Sequence, residues 1–111
     1  MEVFPSLFER QDNMNDMNDI EAKLSTECIV RTQSAGVHIG TVQSRSGTEV
    51  TLVNARRLWS WRGAFTLNEV ATKGVNRKES RISGSVPIVI LTQAVEIIPI
   101  VAGVDLSTTE E

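Results

Sequence analysis

Apolar and polar positions change rhythm several times along the chain. From Cys28 to Ser34 the residues Cys-Ile-Val-Arg-Thr-Gln-Ser are rich in β-branched types and stop at Ser34-Ala35-Gly36, a turn signal. That predicts a first strand. Val37 to Gln43 sets Val37, Ile39 and Thr41 against His38, Gly40 and Val42, the period of a half-buried strand, with Gly40 marking a bulge. Ser44-Arg-Ser-Gly47 reads as a short hairpin connection, Gly47 taking the positive φ that such loops require. Glu49 to Trp61 predicts a long third strand. Its expected faces are Val50, Leu52, Asn54, Arg56 and Leu58 against Thr51, Val53, Ala55, Arg57, Trp59 and Trp61.

The pattern then turns helical. Thr66-Leu-Asn-Glu69 is a capping box, with Thr66 as N-cap and Glu69 reaching back to its amide. Phe65 and Val70 occupy the hydrophobic-staple positions, Lys73 falls in the last turn, and Gly74 suits the left-handed position after it. A helix of about two turns is expected near Thr66–Lys73. Asn76 to Ser85 reads as a polar, basic loop. Val86–Leu91 and Val95–Val101 come next as strands joined through Thr92-Gln93-Ala94. Ile88, Leu91, Val95 and Ile98 would also satisfy helical spacing, but the Ile and Val content favours strands. Pro87 and Pro99 lack a ladder donor and belong at edges or strand ends.

The expected fold is mainly β (α+β): a small five-stranded antiparallel sheet or barrel with one short helix and extended polar termini. Its core should include Ile29, Val37, Ile39, Val50, Leu52, Val70, Ile88, Ile90, Val95 and one of Ile97 or Ile98, the last depending on register. The compact domain should run over 28–102. Residues 103–111 read as a polar tail. Residues 1–27 read as an extended acidic arm, in which Met14-Asn15-Asp16 repeats as Met17-Asn18-Asp19. Phe4, Leu7 and Phe8 cluster with Val3 around Pro5 at its start. Two readings of the arm stand: a frayed terminus, or a tether whose apolar tip docks on another subunit.

Charge sharpens the second reading. A net charge of −3 conceals −5 over residues 1–27, +6 over 28–83 and −4 over 84–111. A basic middle between acidic ends suits an anionic partner, or acidic ends that dock on the basic middle of the same chain or of a neighbour. At 111 residues there is room for one domain.

Candidate chemistry is sparse. A single Cys, Cys28, and a single His, His38, with no Tyr, leave few nucleophiles or general bases. Cys28 allows neither an intrachain disulfide nor a zinc site, and fits a small buried hydrophobe. No Gly-rich phosphate loop, H-E-x-x-H or G-x-S-x-G occurs. We expect no catalytic residues, no metal and no cofactor. The most apolar stretch, Val86 to Ala102, is interrupted by Gln93, Glu96 and two prolines, too short and broken to span a bilayer as a helix, and no secretory leader is recognisable.

Asn54-Ala-Arg-Arg-Leu-Trp-Ser-Trp-Arg-Gly-Ala64 stands apart in a chain with 5% aromatic residues. Strand alternation would put Arg57, Trp59 and Trp61 on one face and Arg56 and Arg62 on the other. Two indoles beside guanidinium groups form a stacking surface for a base, a nucleotide or an aromatic side chain. The same pattern also fits two core rings with Arg stems packed over them. All five residues are candidates for a partner or ligand contact.

Val30-Arg-Thr-Gln-Ser-Ala-Gly-Val-His-Ile-Gly40, the Asn54–Ala64 segment and Ile90-Leu-Thr-Gln-Ala-Val-Glu-Ile-Ile-Pro99 together resemble a family of small tailed-phage and prophage proteins. The family pattern is V-R-T-x-S-A-G-V-H-x-G, N-A-R-R-x-W-x-W-x-G-A and I-L-T-E-A-I-E-I-I-P. Here Gln93 replaces the acid and Val95 the Ile. The resemblance covers residues 30–99 and implies no activity of its own; the acidic arm lies outside it. What it implies is a phage protein made in the host cytoplasm. We expect it to act by binding and assembly, as a virion-associated capsid decoration or cement protein that contacts another capsid protein or itself as a homo-oligomer. The alternative is an intracellular effector that inhibits a host defence protein or sequesters a nucleotide signal through the Arg/Trp segment. The spacing itself specifies neither nucleic acid nor nucleotide, and no membrane partner is expected.

Overall fold

The computed structural model of the chain describes residues 23–109. The arm residues Phe4, Leu7 and Phe8 lie outside the described residues. Strands β1 (Leu24–Thr32), β2 (Val37–Ser46) and β3 (Glu49–Ser60) form an antiparallel meander. Helix α1 (Leu67–Lys73) comes next, then a 3-10 turn (Arg77–Glu79), β4 (Arg81–Ile82), β5 (Val86–Leu91) and β6 (Ala94–Val101). β4 and β5 both line the outer edge of β3, and β6 pairs with β1, so one sheet runs from β4/β5 through β3, β2 and β1 to β6. Among the described residues the fold is mainly β with one α-helix, as the pattern predicts. The additional two-residue strand lies inside the segment read as a polar loop.

Chain geometry forces this sheet to curl. In a flat sheet β5 and β6 would lie four strand spacings apart, about 19 Å. Leu91 and Ala94 are separated by three Cα steps, at most about 11 Å. The two edges must therefore come together where Thr92-Gln93 crosses between them. Three bonds hold that crossing: Ala94 N–H to Thr48 O and Gln33 N–H to Gln93 O, each 3.0 Å, and Thr48 Oγ1 to Thr92 O at 3.1 Å. Pro87 and Pro99 fall on β5 and β6, the two edge strands, where no donor is missed.

Curling gives the sheet two cores. Val30, Val50, Leu52, Ala55 and Leu91 are buried inside the curl, with Val42, Val89, Ala94 and Ile97 packed around them. Ile29, Ile39, Leu58, Ile82 and Ile100 are buried on the outer face under Val70 and Ala71 of α1 and under Leu106. Ile29 and Val30 are adjacent, and each enters a different core. A strand buried on both faces reads as a continuous apolar run, which is why Cys-Ile-Val does not alternate.

A bulge divides β3. Ile39 lies opposite Arg56, whereas Thr41 lies opposite Val53, so β3 carries one extra residue across from Gly40. Asn54 takes a φ of 54° there. A Cβ on Gly40 would sit 2.8 Å from Val53 O and 2.9 Å from Leu52 Cγ, so the close approach requires glycine. The extra residue also reverses the facing of the rest of β3. Val50 and Leu52 point into the curl, but Arg56 and Leu58 belong to the helix side, so the expected single face Val50–Leu58 is not kept.

Other expectations are corrected by register. Ile88 and Ile90 are 52% and 57% exposed and Val95 is also exposed, because Val89, Leu91 and Ile97 are the residues that face the inner core. Val37 is half-buried, and both Ile97 and Ile98 are half-buried, against opposite cores. Thr66 caps α1 by accepting from Glu69 N–H at 3.2 Å, and Gly74 closes it with φ 84°. Glu69 reaches one residue further back than expected, accepting from Phe65 N–H at 2.6 Å. Phe65 is 95% exposed, so no staple forms with the buried Val70.

The domain boundaries also shift. β1 begins at Leu24, inside the expected arm, and residues 103–109 lie against the domain instead of trailing from it. Arg56 donates to Leu106 O through Nε (3.1 Å) and Nη2 (2.9 Å). Arg77 donates to Asp105 O, Ser107 O and Thr108 O, and Thr109 Oγ1 accepts from Ile82 N–H at 2.7 Å.

Candidate binding cleft

The bulge at Asn54 turns Arg57 toward the end of the curled sheet where β4 gives way to β5. There Ser83 N–H donates to Arg57 O (3.0 Å) and Arg57 N–H donates to Ser83 Oγ (2.9 Å), so the strand break is stitched to β3 at this residue. Gly84 and Ser85 then carry the chain away before β5 resumes beside Ala55 at Val86. The gap is a cleft of about 440 Å³ lined by His38, Ala55, Arg56, Arg57, Trp59, Ser83, Gly84, Val86 and Val89.

Its walls differ in chemistry. Val86, Val89 and Ala55 make an apolar side. Trp59 is 56% exposed, and the Arg81 guanidinium lies 5.7 Å from its ring centroid, a cation–π distance. Arg57 is exposed and lies directly across the ladder from His38. His38 is buried, and Nε2 lies 2.9 Å from Ala35 O. A carbonyl only accepts, so Nε2 carries the proton. Burial pushes the imidazole below its usual range and Arg57 adds to this, while the Ala35 bond opposes it. The ring is therefore neutral at pH 7, and Nδ1 is an acceptor. Among the described residues none bonds Nδ1, and His38 lines the cleft.

The five candidate residues are not brought together. Arg57 and Trp59 share the cleft. Trp61 lies past the end of β3 and packs half-buried on the helix-side core, its indole N–H donating to Ala64 O at 3.2 Å. The expected common face of Arg57, Trp59 and Trp61 ends with the strand, because β3 slips register against β4 between Leu58 and Ser60. Arg56 is buried on the helix side in a bidentate pair with Glu27, at 2.7 and 2.9 Å, and is a structural clamp. Arg62 is exposed beside a separate depression with Trp61, Gly63, Ala64 and Phe65. His38, notable in the sequence only as the single His, stands outside the five contact candidates, and Ser83 and Val86 carry no sequence signal of a site. Only Gly84, flanked by Ser83 and Ser85, signals the strand break that admits them.

Cys28 is a half-buried free thiol that burial and, secondarily, Glu27 hold above the usual thiol range, which disfavours the reactive thiolate. Among the described residues no group of three His, Cys, Asp or Glu side chains is placed to hold a metal, and no helix is long and apolar enough to cross a membrane.

The model of a protein family described as a domain of unknown function, DUF6948, matches residues 25–107. The chain belongs to the DUF6948 family. No curated protein and no solved structure matches it. The DUF6948 match begins within β1 and ends just past Leu106, so it takes in both the Glu27 end of β1 and the segment that Arg56 holds. That agrees with a domain running from Leu24 to the close of the Arg77 contacts.

Proposed function

We propose that this DUF6948 protein acts by binding and assembly, as a virion-associated structural protein of a phage, and that it docks through the outer face of β5. One observation carries the docking surface: Val86, Ile88 and Ile90 are all exposed on a strand whose other edge has no strand partner among the described residues. Ile88 stands beside Val53 and Ile90 beside Thr51, extending an apolar strip onto β3. Three exposed β-branched residues on one edge strand are costly in water and typical of a covered surface. Pro87 blunts the edge against ladder pairing, which favours docking by the side-chain face. The phage setting rests on the resemblance of the Val30–Gly40, Asn54–Ala64 and Ile90–Pro99 blocks.

The test compares the protein with an Ile88→Ser/Ile90→Ser variant in particles purified from cells producing the phage that encodes it. Both side chains are more than half exposed, so the two substitutions together should change stability by no more than about 1 kcal/mol. The unaltered protein should copurify at a fixed ratio to the major shell protein, and the variant should be lost. Absence of the unaltered protein from the particles would sink the reading.

A further inference from the structure

A second surface, which meets the β5 face only at Val86, calls for a different kind of partner. We infer that the cleft between β3 and the β4–β5 break takes a small ligand that joins a flat aromatic heterocycle to one anionic group, the chemistry of a nucleotide. The ring stacks on Trp59 and the anion meets Arg57.

Arg57 supplies the first argument. Arg31, Arg56 and Arg77 are each paired with a carboxylate: Glu96 at 3.0 Å, Glu27 at 2.7 Å and Asp105 at 3.5 Å. Among the described residues no carboxylate or carbonyl takes the Arg57 guanidinium. Its backbone, by contrast, is fixed on both sides, by pairing with His38 and by the two bonds with Ser83. A guanidinium on a fixed backbone, with its donors uncommitted, is a site for an oxyanion.

Trp59 supplies the second. In a chain with two Trp, one ring is packed on the core and the other is left more than half exposed at the rim of the cleft. Arg81 stacks over it, which orients the indole and favours stacking with an electron-rich ring. His38 supplies the third. Its ring lines the cleft and the neutral Nδ1, an acceptor, has no partner among the described residues, so a ligand ring bearing an N–H donor is matched better than a plain hydrocarbon ring. The volume of about 440 Å³ and the apolar side formed by Val86 and Val89 suit a ligand of this size.

Calorimetric titration tests the assignment, with the full chain and a panel of probes. Four nucleoside monophosphates (AMP, GMP, CMP and UMP) represent one source of the ring-plus-anion chemistry, and indole-3-acetate represents free aromatic carboxylates. The four nucleosides, indole, acetate and inorganic phosphate each lack one half. At least one ring-plus-anion probe should bind with a Kd below about 1 mM, and its half-probes at least about tenfold more weakly. Binding confined to the nucleotides assigns phosphate as the anion, and binding confined to indole-3-acetate assigns a carboxylate. Arg57→Ala and Trp59→Ala should each weaken the bound probe by about tenfold or more while the domain stays folded, with stability lowered by no more than about 1 kcal/mol. Trp59→Phe should recover part of the loss. The inference is overturned if no ring-plus-anion probe binds, if a nucleoside binds as well as its monophosphate, or if either alanine variant binds like the unaltered protein. None of these results depends on the Ile88 and Ile90 surface, so the cleft and the assembly reading stand or fall separately.

Discussion

The guanidinium of Arg56 grips both carboxylate oxygens of Glu27, Nη1 to Oε2 at 2.7 Å and Nη2 to Oε1 at 2.9 Å, while also donating to Leu106 O and Asn54 O. One buried side chain thus ties the start of β1, the bulge of β3 and the C-terminal segment into a single node. Arg56→Ala would strand a partly buried carboxylate and a buried carbonyl, and should cost about 3 kcal/mol. Arg56→Lys should recover little, since an ammonium cannot reproduce the two-pronged geometry. Urea unfolding of the three proteins measures this directly. An alanine variant within about 0.5 kcal/mol of the parent would show that the node is incidental.

The same pair fixes where the chain can be shortened. Removing residues 1–22 keeps β1 whole and keeps Glu27, so thermal unfolding of the domain should hardly move. Removing residues 1–27 deletes the partner of Arg56 and the first strand residues. It should lower the midpoint by roughly 10 °C, on the scale of about 2 kcal/mol for a domain this size. Equal midpoints for the two truncations would remove Glu27 from any structural role.

Local patterns in the sequence were enough for the meander, the helix and its caps. Thr66 and Gly74 act within a few residues of themselves, and Gly40 carries its own signal. What the sequence did not carry was register. One extra residue opposite Gly40 reverses the faces of Arg56, Arg57 and Leu58, and alternation read straight through it puts them wrongly. β5 and β6 contain apolar residues at nearly every position, so composition could not say that Val89 and Leu91 turn inward while Ile88 and Ile90 turn out. The candidate site was half legible for a related reason. Arg57 and Trp59 lie in one segment, but His38 and Ser83 join them only through strand pairing.

Gly40 should tolerate no side chain. The added methyl of Gly40→Ala would meet a backbone oxygen that the bulge holds in place, not a flexible chain end. A loss of about 1–3 kcal/mol is expected in denaturant unfolding. Gly47→Ala makes a useful comparison: nothing lies within 4 Å of its added methyl, and only the φ of 60° opposes it. It should cost about 1 kcal/mol. If Gly40→Ala costs less than Gly47→Ala, the close approach at the bulge is not a constraint.

His38 should make stability fall in mild acid. Burial first, and Arg57 as a lesser cause, lower its pKa in the folded domain below the unfolded value of 6.5, against the opposing bond to Ala35. Below pH 6.5 the unfolded chain takes up a proton that the folded chain still refuses. Protons bound in excess by the unfolded state favour unfolding, so stability drops from there down to the folded pKa and is flat above. Asp105, held low mainly by its bonds from Ser107, contributes only in a lower window, below the ordinary carboxylate value of 3.8. A His38→Gln variant followed by thermal unfolding across this range isolates the imidazole. An identical slope in the variant would assign the acid sensitivity elsewhere.

The two indoles should separate cleanly by their roles. Trp61 packs against the helix-side core and spends its N–H on Ala64 O, so Trp61→Ala removes apolar contact and leaves a void beneath the α1 approach. A half-buried ring should cost about 2 kcal/mol, below the roughly 3–5 of a fully buried one. Trp59 contributes its exposed ring and its contact with Arg81, so Trp59→Ala should change stability by no more than about 1 kcal/mol. Fluorescence gives an independent check on the same proteins. With Trp61 alone left, emission should be blue-shifted and poorly quenched by iodide; with Trp59 alone left, it should be red-shifted and readily quenched. The reverse pattern, or equal destabilisation by both substitutions, would mean that Trp59 is also a packing residue, and the cleft would lose the wall on which its ligand is meant to stack.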